Sequence, residues 1–199
     1  MPINIYSIQH PLVLHWSNCL LNPYLKAVDT TDILHKLGLA LIYELTRKSL
    51  HTQNLYIKYI DRFNNIQLIT NDKICFVCSD LNIMQILGKD VTYIIPNLLN
   101  YIVPLFTQNG SWQIAPNNQI LPEDIYNYTI IIFERELNSS KASVVIEHLL
   151  EKNIPFNHIQ LCCIICSNKE LEKLNIQYKN IKIYTCIIDE QLTYLKELR

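Results

Sequence analysis

Five short apolar runs, rich in isoleucine and valine, constrain the fold of this chain more than any other feature of its sequence. They cover residues 74–78, 101–106, 129–133, 159–165 and 181–188. Continuous apolar runs of this length are typical of strands buried on both faces, and their alternation with helical segments indicates βαβ crossovers. The sequence therefore predicts an α/β fold, with a parallel sheet flanked by helices. Pro104 weakens the second run as a central strand, because proline cannot donate a hydrogen bond to its neighbour.

Apolar residues with helical spacing lie before and between these runs. Asp32 can cap an amphipathic helix that continues to about residue 50. Further helices are predicted after residue 80, over residues 139–152 and over residues 169–174. Residues 55–60 and 66–70 alternate around Asn64 and Asn65, which predicts a hairpin with its turn at these asparagines. Because the chain shows no repeat or linker, we expect one domain over residues 1–199.

Charge and composition limit the classes of partner. The chain has 17 basic and 18 acidic residues, so it lacks the positive surface that nucleic acid or anionic lipid would require. No apolar stretch is long enough to cross a membrane, and the N-terminus does not resemble a signal peptide. Seven cysteines, an odd number, favour reduced thiols in an intracellular compartment. The abundance of Ile, Asn, Lys and Tyr indicates A/T-rich coding, which suggests a plastid stroma, or otherwise the cytoplasm.

Two C-x-x-C pairs, Cys75 with Cys78 and Cys163 with Cys166, have a spacing that zinc and redox sites use. Both pairs lie inside apolar runs without a glycine or polar knuckle, and residues three apart on a strand point to opposite faces. Buried core cysteine is therefore the favoured interpretation. His10 or His15 could act as a general base, but no partner is visible nearby, so a structural role is favoured for both.

The richest polar stretch follows the third apolar run and precedes a helix, where a parallel sheet binds anions. The candidate site residues are Glu134, Arg135, Asn138, Ser139, Ser140, Lys141 and Ala142. A phosphate cradle normally contains glycine so that its backbone can approach the ligand, and this stretch has none. The alternative is an ordinary loop in which Ser139 or Ser140 caps the helix. We identify no catalytic residue and no metal ligand.

Residues 10–15 and 37–47 read H-P-L-V-L-H and L-G-L-A-L-I-Y-E-L-T-R, and residues 183–190 read I-Y-T-C-I-I-D-E. Together with residues 95–96 and 121–125, and in this order, these segments resemble uracil phosphoribosyltransferases. The family reads H-P-L-V-x-H, G-x-L-L-x-Y-E-A-T-R and I-Y-T-A-x-I-D-x-G-L-N at these places. The resemblance extends over almost the whole chain.

The resemblance implies a type I phosphoribosyltransferase fold with a small N-terminal helix and hairpin hood, and usually a homodimer. Members of this family join uracil to phosphoribosyl pyrophosphate, usually with Mg²⁺, and release UMP and pyrophosphate. Their phosphoribosyl loop reads D-P-x-x-A-T-G-G-S and matches residues 134–142 here. The resemblance therefore marks the same polar stretch as a candidate phosphoribosyl loop.

The sequence differs from the family at the positions with which the family binds phosphate and pyrophosphate groups. Ser140 and Lys141 replace both glycines of the loop. Leu81 stands at the arginine of V-P-I-L-R-A-G-L, and Thr107 and Leu21 stand at two further arginines. The family's C-terminal uracil-binding segment, G-L-G-D-A-G-D-R-x-F-G-T, has no counterpart in this sequence.

These losses favour a homologue without UMP-forming activity. Departure of pyrophosphate concentrates negative charge, and removing one stabilising contact costs about 3 kcal/mol. We therefore expect a protein that binds a nucleotide, a protein partner or a second copy of itself. The alternative is an active transferase that uses Glu134, Ser139, Ser140 and Lys141 around the phosphates, with Mg²⁺. A zinc or redox protein is the third interpretation.

Overall fold

The computed structural model describes residues 4–22, 30–70, 72–116 and 121–189 of the 199-residue chain. The helices are α1 (Pro11–Leu21), α2 (Thr30–Ser49), α3 (Leu81–Ile94), α4 (Ser139–Glu151) and α5 (Asn168–Gln177). The strands are β1 (Asn4–Ser7), β2 (Thr52–Lys58), β3 (Phe63–Ile69), β4 (Ile74–Cys78), β5 (Leu98–Ile102), β6 (Leu105–Gln108), β7 (Ser111–Ile114), β8 (Thr129–Glu136), β9 (Ile159–Cys166) and β10 (Lys182–Ile188). Within these ranges, no helix is long and apolar enough to span a bilayer.

Six strands form one parallel sheet in the order β1-β10-β9-β8-β4-β5. This confirms the predicted α/β fold, and each of the five apolar runs contributes a strand to it. The run at residues 101–106 is not one strand, however. The edge strand β5 ends before Pro104 and β6 begins after it, because proline interrupts the hydrogen-bonding ladder. The sequence did not predict β1, since its four residues contain no apolar run.

The sheet is buried on both faces, which explains why its strands are continuously apolar. Ile74, Phe76 and Cys78 of β4 belong to the core cluster that contains α2 and α3 side chains. Cys75 and Val77, which point the opposite way, belong to the cluster that contains α4 and α5 side chains. The two core clusters therefore lie on opposite faces of a single sheet.

The strands β2 and β3 pair in an antiparallel hairpin that protrudes from this layered body. The hairpin was predicted correctly, but its turn was not. The turn lies at residues 59–62, where the Tyr59 amide donates to the Arg62 carbonyl at 2.8 Å. Asn64 and Asn65 lie within β3 and pair with Ile57 and Tyr56. Nearly every residue of the two strands is exposed.

Two helices, α2 and α5, begin or end at other residues than the sequence predicts. Asp32 lies in the first turn of α2, which is already helical at Thr30, and its carboxylate pairs with Lys36 at 2.6 Å. The prediction that Asp32 caps this helix is therefore wrong. The helix α5 runs from Asn168 to Gln177, which is longer than the predicted 169–174.

The cysteines of both C-x-x-C pairs are free and buried, as predicted. Burial raises the pKa of Cys75 to about 12 and holds that of Cys78 well above its usual range. The expectation of opposite faces holds for this pair but not for Cys163 and Cys166, which share one core cluster. The alternation of β9 is interrupted there, because two consecutive residues, 164 and 165, both face the other cluster.

The order of the strands reverses between β4 and β8. From β4 the chain proceeds outward through α3 to β5, whereas from β8 it proceeds through α4 and β9 to α5 and β10. In open α/β sheets, ligands bind in the crevice that such a reversal leaves beyond the carboxyl ends of the strands. A ligand site is therefore expected at the carboxyl ends of β4 and β8.

Candidate functional site

A cavity of about 610 Å³ lies at the carboxyl ends of β4 and β8. Its walls come from the turn after β4, from the β6–β7 hairpin and from the end of β8 with the start of α4. The lining residues are Ser79, Asp80, Leu81, Pro104, Leu105, Trp112, Glu134, Arg135, Glu136, Leu137, Asn138 and Lys141. The topology thus brings the predicted polar stretch together with residues from two distant segments.

Glu134 is the buried acid of this cavity, with a residue exposure of 4%. Ser79 Oγ donates a hydrogen bond to Glu134 Oε1 at 2.6 Å. Burial raises the pKa of Glu134 to about 7, because a desolvated carboxylate is disfavoured. The Ser79 hydrogen bond and the Lys141 charge lower the pKa, whereas the Asp80 charge raises it further. This carboxyl group is therefore partly protonated near neutral pH.

The charges around the cavity do not favour a polyphosphate. Arg135 and Lys141 are its two basic lining residues, and Asp80, Glu134 and Glu136 are its three acidic ones. The Lys141 ammonium lies 4.4 Å from the centroid of the Trp112 ring, in a cation–π contact. Arg135 is exposed. The concentrated positive charge that would stabilise a leaving pyrophosphate is therefore missing from the described lining.

Asn138 is the N-cap residue of α4, whereas the sequence predicted Ser139 or Ser140 in that position. The backbone of Asn138 is extended, and its Oδ1 accepts a hydrogen bond from the Lys141 amide at 3.1 Å. Asparagine is as good an N-cap as serine, so the position of the last extended residue decides which of them caps the helix.

Ser139 faces α5 rather than the cavity. Its amide and its hydroxyl both donate to Glu170 Oε2, at 2.7 and 2.6 Å, and Ser139 is only 3% exposed. Lys173 donates to the other carboxylate oxygen, Glu170 Oε1, at 2.6 Å. A carboxylate of the chain itself therefore occupies the start of α4, where exposed amide groups attract anions in many proteins.

Four of the seven predicted site residues line the cavity, namely Glu134, Arg135, Asn138 and Lys141. Ser139 is engaged by α5, Ser140 is exposed, and Ala142 is packed in the core. His10 accepts a hydrogen bond from the Leu12 amide at the start of α1, and neither His10 nor His15 lines the cavity. His10 lines a separate cavity beside α1 and α2, and the structural role expected for both histidines stays a prediction.

Sequence reasoning missed three contributors to the site. Ser79 and Asp80 directly follow the buried run 74–78, so the end of a predicted parallel strand could have marked them. Trp112 carries no comparable signal, because only the folding of the β6–β7 hairpin brings it to Lys141. The described residues contain no cluster of three or more His, Cys, Asp or Glu side chains that could hold a metal ion.

Comparison with known proteins places this chain in a family. The family model "Uracil phosphoribosyltransferase" matches residues 7–197. A protein named uracil phosphoribosyltransferase homolog, from Porphyra purpurea, is 26% identical over 188 residues, covering 93% of this chain and 88% of that protein. The uracil phosphoribosyltransferase of Dictyoglomus turgidum is 22% identical over 189 residues, with coverage of 93% and 88%.

Among solved structures, the AQ2163 protein from Aquifex aeolicus is similar in fold, with a TM-score of 0.71 at 17% identity. The superposed region covers 93% of this chain and 87% of the Aquifex aeolicus protein. The parallel sheet, the flanking helices and the family match together identify a type I phosphoribosyltransferase-like fold. The chain belongs to the uracil phosphoribosyltransferase family.

Proposed function

We propose that this protein is a uracil phosphoribosyltransferase homologue that does not form UMP and that is retained for binding. The observation that carries the proposal is the contact between Glu170 and Ser139. In the resemblance, Ser139 stands at the threonine of the family's phosphate-binding A-T-G-G-S segment. A phosphate group placed on the Ser139 amide would have to displace a carboxylate that Lys173 also holds.

The charge of the cavity supports the same proposal. Phosphoribosyl pyrophosphate is a multiply charged anion, and enzymes that cleave it need cationic groups or metal ions around the leaving group. Among the residues that the structure describes around the cavity, two basic side chains against three acidic ones leave no surplus of positive charge. Lysine also lacks the planar fork with which arginine holds two phosphate oxygens at once.

The alternative is an active transferase acting on uracil or a related base, with Mg²⁺ as cofactor. Lys141 and Arg135 favour it, because both line the cavity next to Glu134, which stands at the acidic position of the family's loop. This alternative requires Lys141 to leave Trp112 and Glu170 to leave Ser139 when substrate binds.

The purified protein is expected to form no UMP from uracil and phosphoribosyl pyrophosphate in the presence of Mg²⁺. Calorimetric titration with phosphoribosyl pyrophosphate or pyrophosphate is expected to give no binding at millimolar concentration. The relative named uracil phosphoribosyltransferase from Dictyoglomus turgidum is the positive control. Turnover that disappears in a Glu134→Ala variant would show that the protein is an active transferase.

Self-association is the second part of the proposal. One face of the β2–β3 hairpin carries Leu55, Ile57, Ile66 and Leu68, and three of these are at least 40% exposed. A two-stranded hairpin is at best marginally stable in water, so we expect this apolar face to pack against another protein surface. We propose that a second copy of the chain supplies it, in a homodimer.

Sedimentation velocity is expected to give the mass of a dimer at micromolar concentration. Ile66→Glu, on the apolar face, is expected to shift the protein to monomer because a charge would be buried at the contact. Gln67→Glu, on the opposite face of the same strand, is the matched control and should remain dimeric. A monomeric wild type, or a dimer that both variants preserve, would contradict this part of the proposal.

We further propose a reducing compartment, with the plastid stroma as the specific location and the cytoplasm as the alternative. Free, buried cysteines suit such a compartment, since none of them is paired in a disulfide. The A/T-biased composition supports the plastid. A nucleotide or protein partner is compatible with either location.

A further inference from the structure

The first helix, α1, carries a histidine and a cysteine that the candidate site does not use. His15 and Cys19 are four residues apart on this helix, and residues with this spacing lie on the same helix face. The His15 Nε2 and Cys19 Sγ atoms are 3.8 Å apart. Neither residue lines the cavity at the ends of β4 and β8, so the pair belongs to a separate surface of the protein.

Cys19 differs in its surroundings from the other six cysteines of the chain. Those six are buried, whereas Cys19 is partly exposed. Burial raises the pKa of Cys75 and of Cys186 to about 12, which keeps both thiols protonated. A thiol binds a metal ion only after it has lost its proton, and the ion itself must reach the sulfur. Cys19 is therefore the cysteine best placed to act as a metal ligand.

The distance between the two atoms on α1 matches that between two ligands of one metal ion. Zinc lies about 2.3 Å from a thiolate sulfur and about 2.0–2.1 Å from an imidazole nitrogen. At a tetrahedral angle, these two bonds place the sulfur and the nitrogen about 3.6 Å apart. The 3.8 Å between Cys19 Sγ and His15 Nε2 therefore requires a shift of only about 0.2 Å. The helix holds both ligands near the required positions before an ion binds.

Two other histidines lie beside possible ligands, but they are less suited to a metal ion. His35 Nε2 is 2.6 Å from Asp90 Oδ2, which is a direct hydrogen bond and too short for an ion between the two atoms. Asp72 lies beside His51, but its Oδ2 already accepts a hydrogen bond from the His51 amide at 2.8 Å. A metal ion would have to break these contacts, whereas the longer contact on α1 already has the spacing of two ligands.

We propose that His15 and Cys19 bind a divalent transition-metal ion of the zinc type on the surface of α1. The Cys19 thiol releases its proton to solvent, its sulfur and the His15 Nε2 each donate an electron pair to the ion, and water molecules occupy the remaining positions. No atom changes its oxidation state. Thiolate and imidazole favour such an ion over Mg²⁺, which prefers oxygen ligands. The inference is independent of the proposed function, because the pair lies outside the cavity.

Cadmium is the spectroscopic probe, because a bond between Cd²⁺ and a thiolate sulfur produces an ultraviolet charge-transfer band that an imidazole ligand does not produce. Titration of the reduced protein with Cd²⁺ under anaerobic conditions is expected to saturate this band at about one ion per chain. Calorimetric titration with Zn²⁺ is expected to give a Kd on the order of 10 µM, since two protein ligands supply about half of the binding free energy of a four-ligand site. Excess Mg²⁺ should leave the band unchanged.

Four variants identify the ligands. Cys19→Ser should lose the band, and His15→Gln should bind both ions at least about tenfold more weakly. Cys19→His supplies two imidazoles with the same spacing, so it should still bind Zn²⁺ but give no band with Cd²⁺. Asn18→Gln, an exposed change on the same helix, is the matched control and should behave like the wild type.

A wild type without the band would overturn the proposal, and so would equal Cd²⁺ affinities of the wild type and His15→Gln. A band that Cys19→Ser preserves would also overturn it, because the metal ion would then be bound by one of the buried cysteines. The far-ultraviolet circular dichroism of each variant should match that of the wild type, so that a lost band reports a lost ligand and not a lost helix.

Discussion

The Glu134→Gln variant is expected to gain about 2.5 kcal/mol of stability relative to the wild type as the pH is raised from 5 to 8.5. The pKa of the Glu134 carboxyl rises from an ordinary value of 4.5 to about 7 on folding, because the group is buried. Below pH 4.5 it is protonated in both states and folding carries no penalty. Between pH 4.5 and about 7 the unfolded chain ionises while the native state keeps its proton, so stability falls with pH; above the folded pKa the native state holds a desolvated carboxylate and the loss is complete. Glutamine does not ionise and avoids this loss.

Urea unfolding of the wild type and Glu134→Gln at pH 5, 7 and 8.5 measures this difference directly. Glu172→Gln replaces an exposed carboxylate and should retain the pH dependence of the wild type. Ser79→Ala should steepen the loss of stability with pH, because it removes the hydrogen bond that lowers the pKa of Glu134. If the free energy of unfolding changed with pH in the same way for the wild type and Glu134→Gln, Glu134 would be ionised at low cost in the folded protein.

Removing the carboxylate of Glu170 is expected to destabilise the protein by about 2 kcal/mol. Glu170→Ala leaves the buried amide and hydroxyl of Ser139 without the acceptor that both now share. It also removes a negative charge from the start of α4, where the helix dipole favours one. Because these contacts stabilise a charged group, the effect should exceed that of an ordinary hydrogen bond between neutral groups.

A double-mutant cycle with Ser139→Ala isolates this contact, and the coupling free energy should be about 1 kcal/mol. Burial alone would raise the pKa of Glu170, but hydrogen bonds from Lys173 and Ser139 outweigh it and hold the pKa below its usual value. The contribution is therefore fully present above the unfolded pKa and is lost as the pH falls through the folded one. Glu172→Gln, on the same helix, is the control. Coupling that persists unchanged at low pH would contradict a carboxylate contact.

The features that sequence reasoning predicted correctly depend on periodic patterns. The runs at residues 74–78 and 159–165 became strands buried on both faces, because an element enclosed by helices must be apolar at every position. The helix predicted at 139–152 matches α4 to within one residue. The features that it missed depend on single local contacts, such as the cap formed by Asn138 and the turn closed between Tyr59 and Arg62.

In the candidate site, Glu134, Asn138 and Lys141 line the cavity, since polar residues after a parallel strand lie at the carboxyl edge of the sheet, and their role in a phosphoribosyl loop stays a prediction. It did not indicate that Trp112 meets Lys141 or that Glu170 meets Ser139. Glu170 and Ser139 are 31 residues apart, and the contact forms because β8 and β9 are neighbours and the helices that follow them lie side by side.

The sequence by itself therefore determined the layered α/β architecture and the family. These properties follow from residue types and from their spacing along the chain. Only the tertiary structure decided how the polar groups of the site are arranged: the Glu170 carboxylate lies at the start of α4, and Glu134 is a buried acid in a cavity with nearly balanced charges. The reason is physical, because hydrogen bonding and burial depend on distances between segments that are remote in the chain.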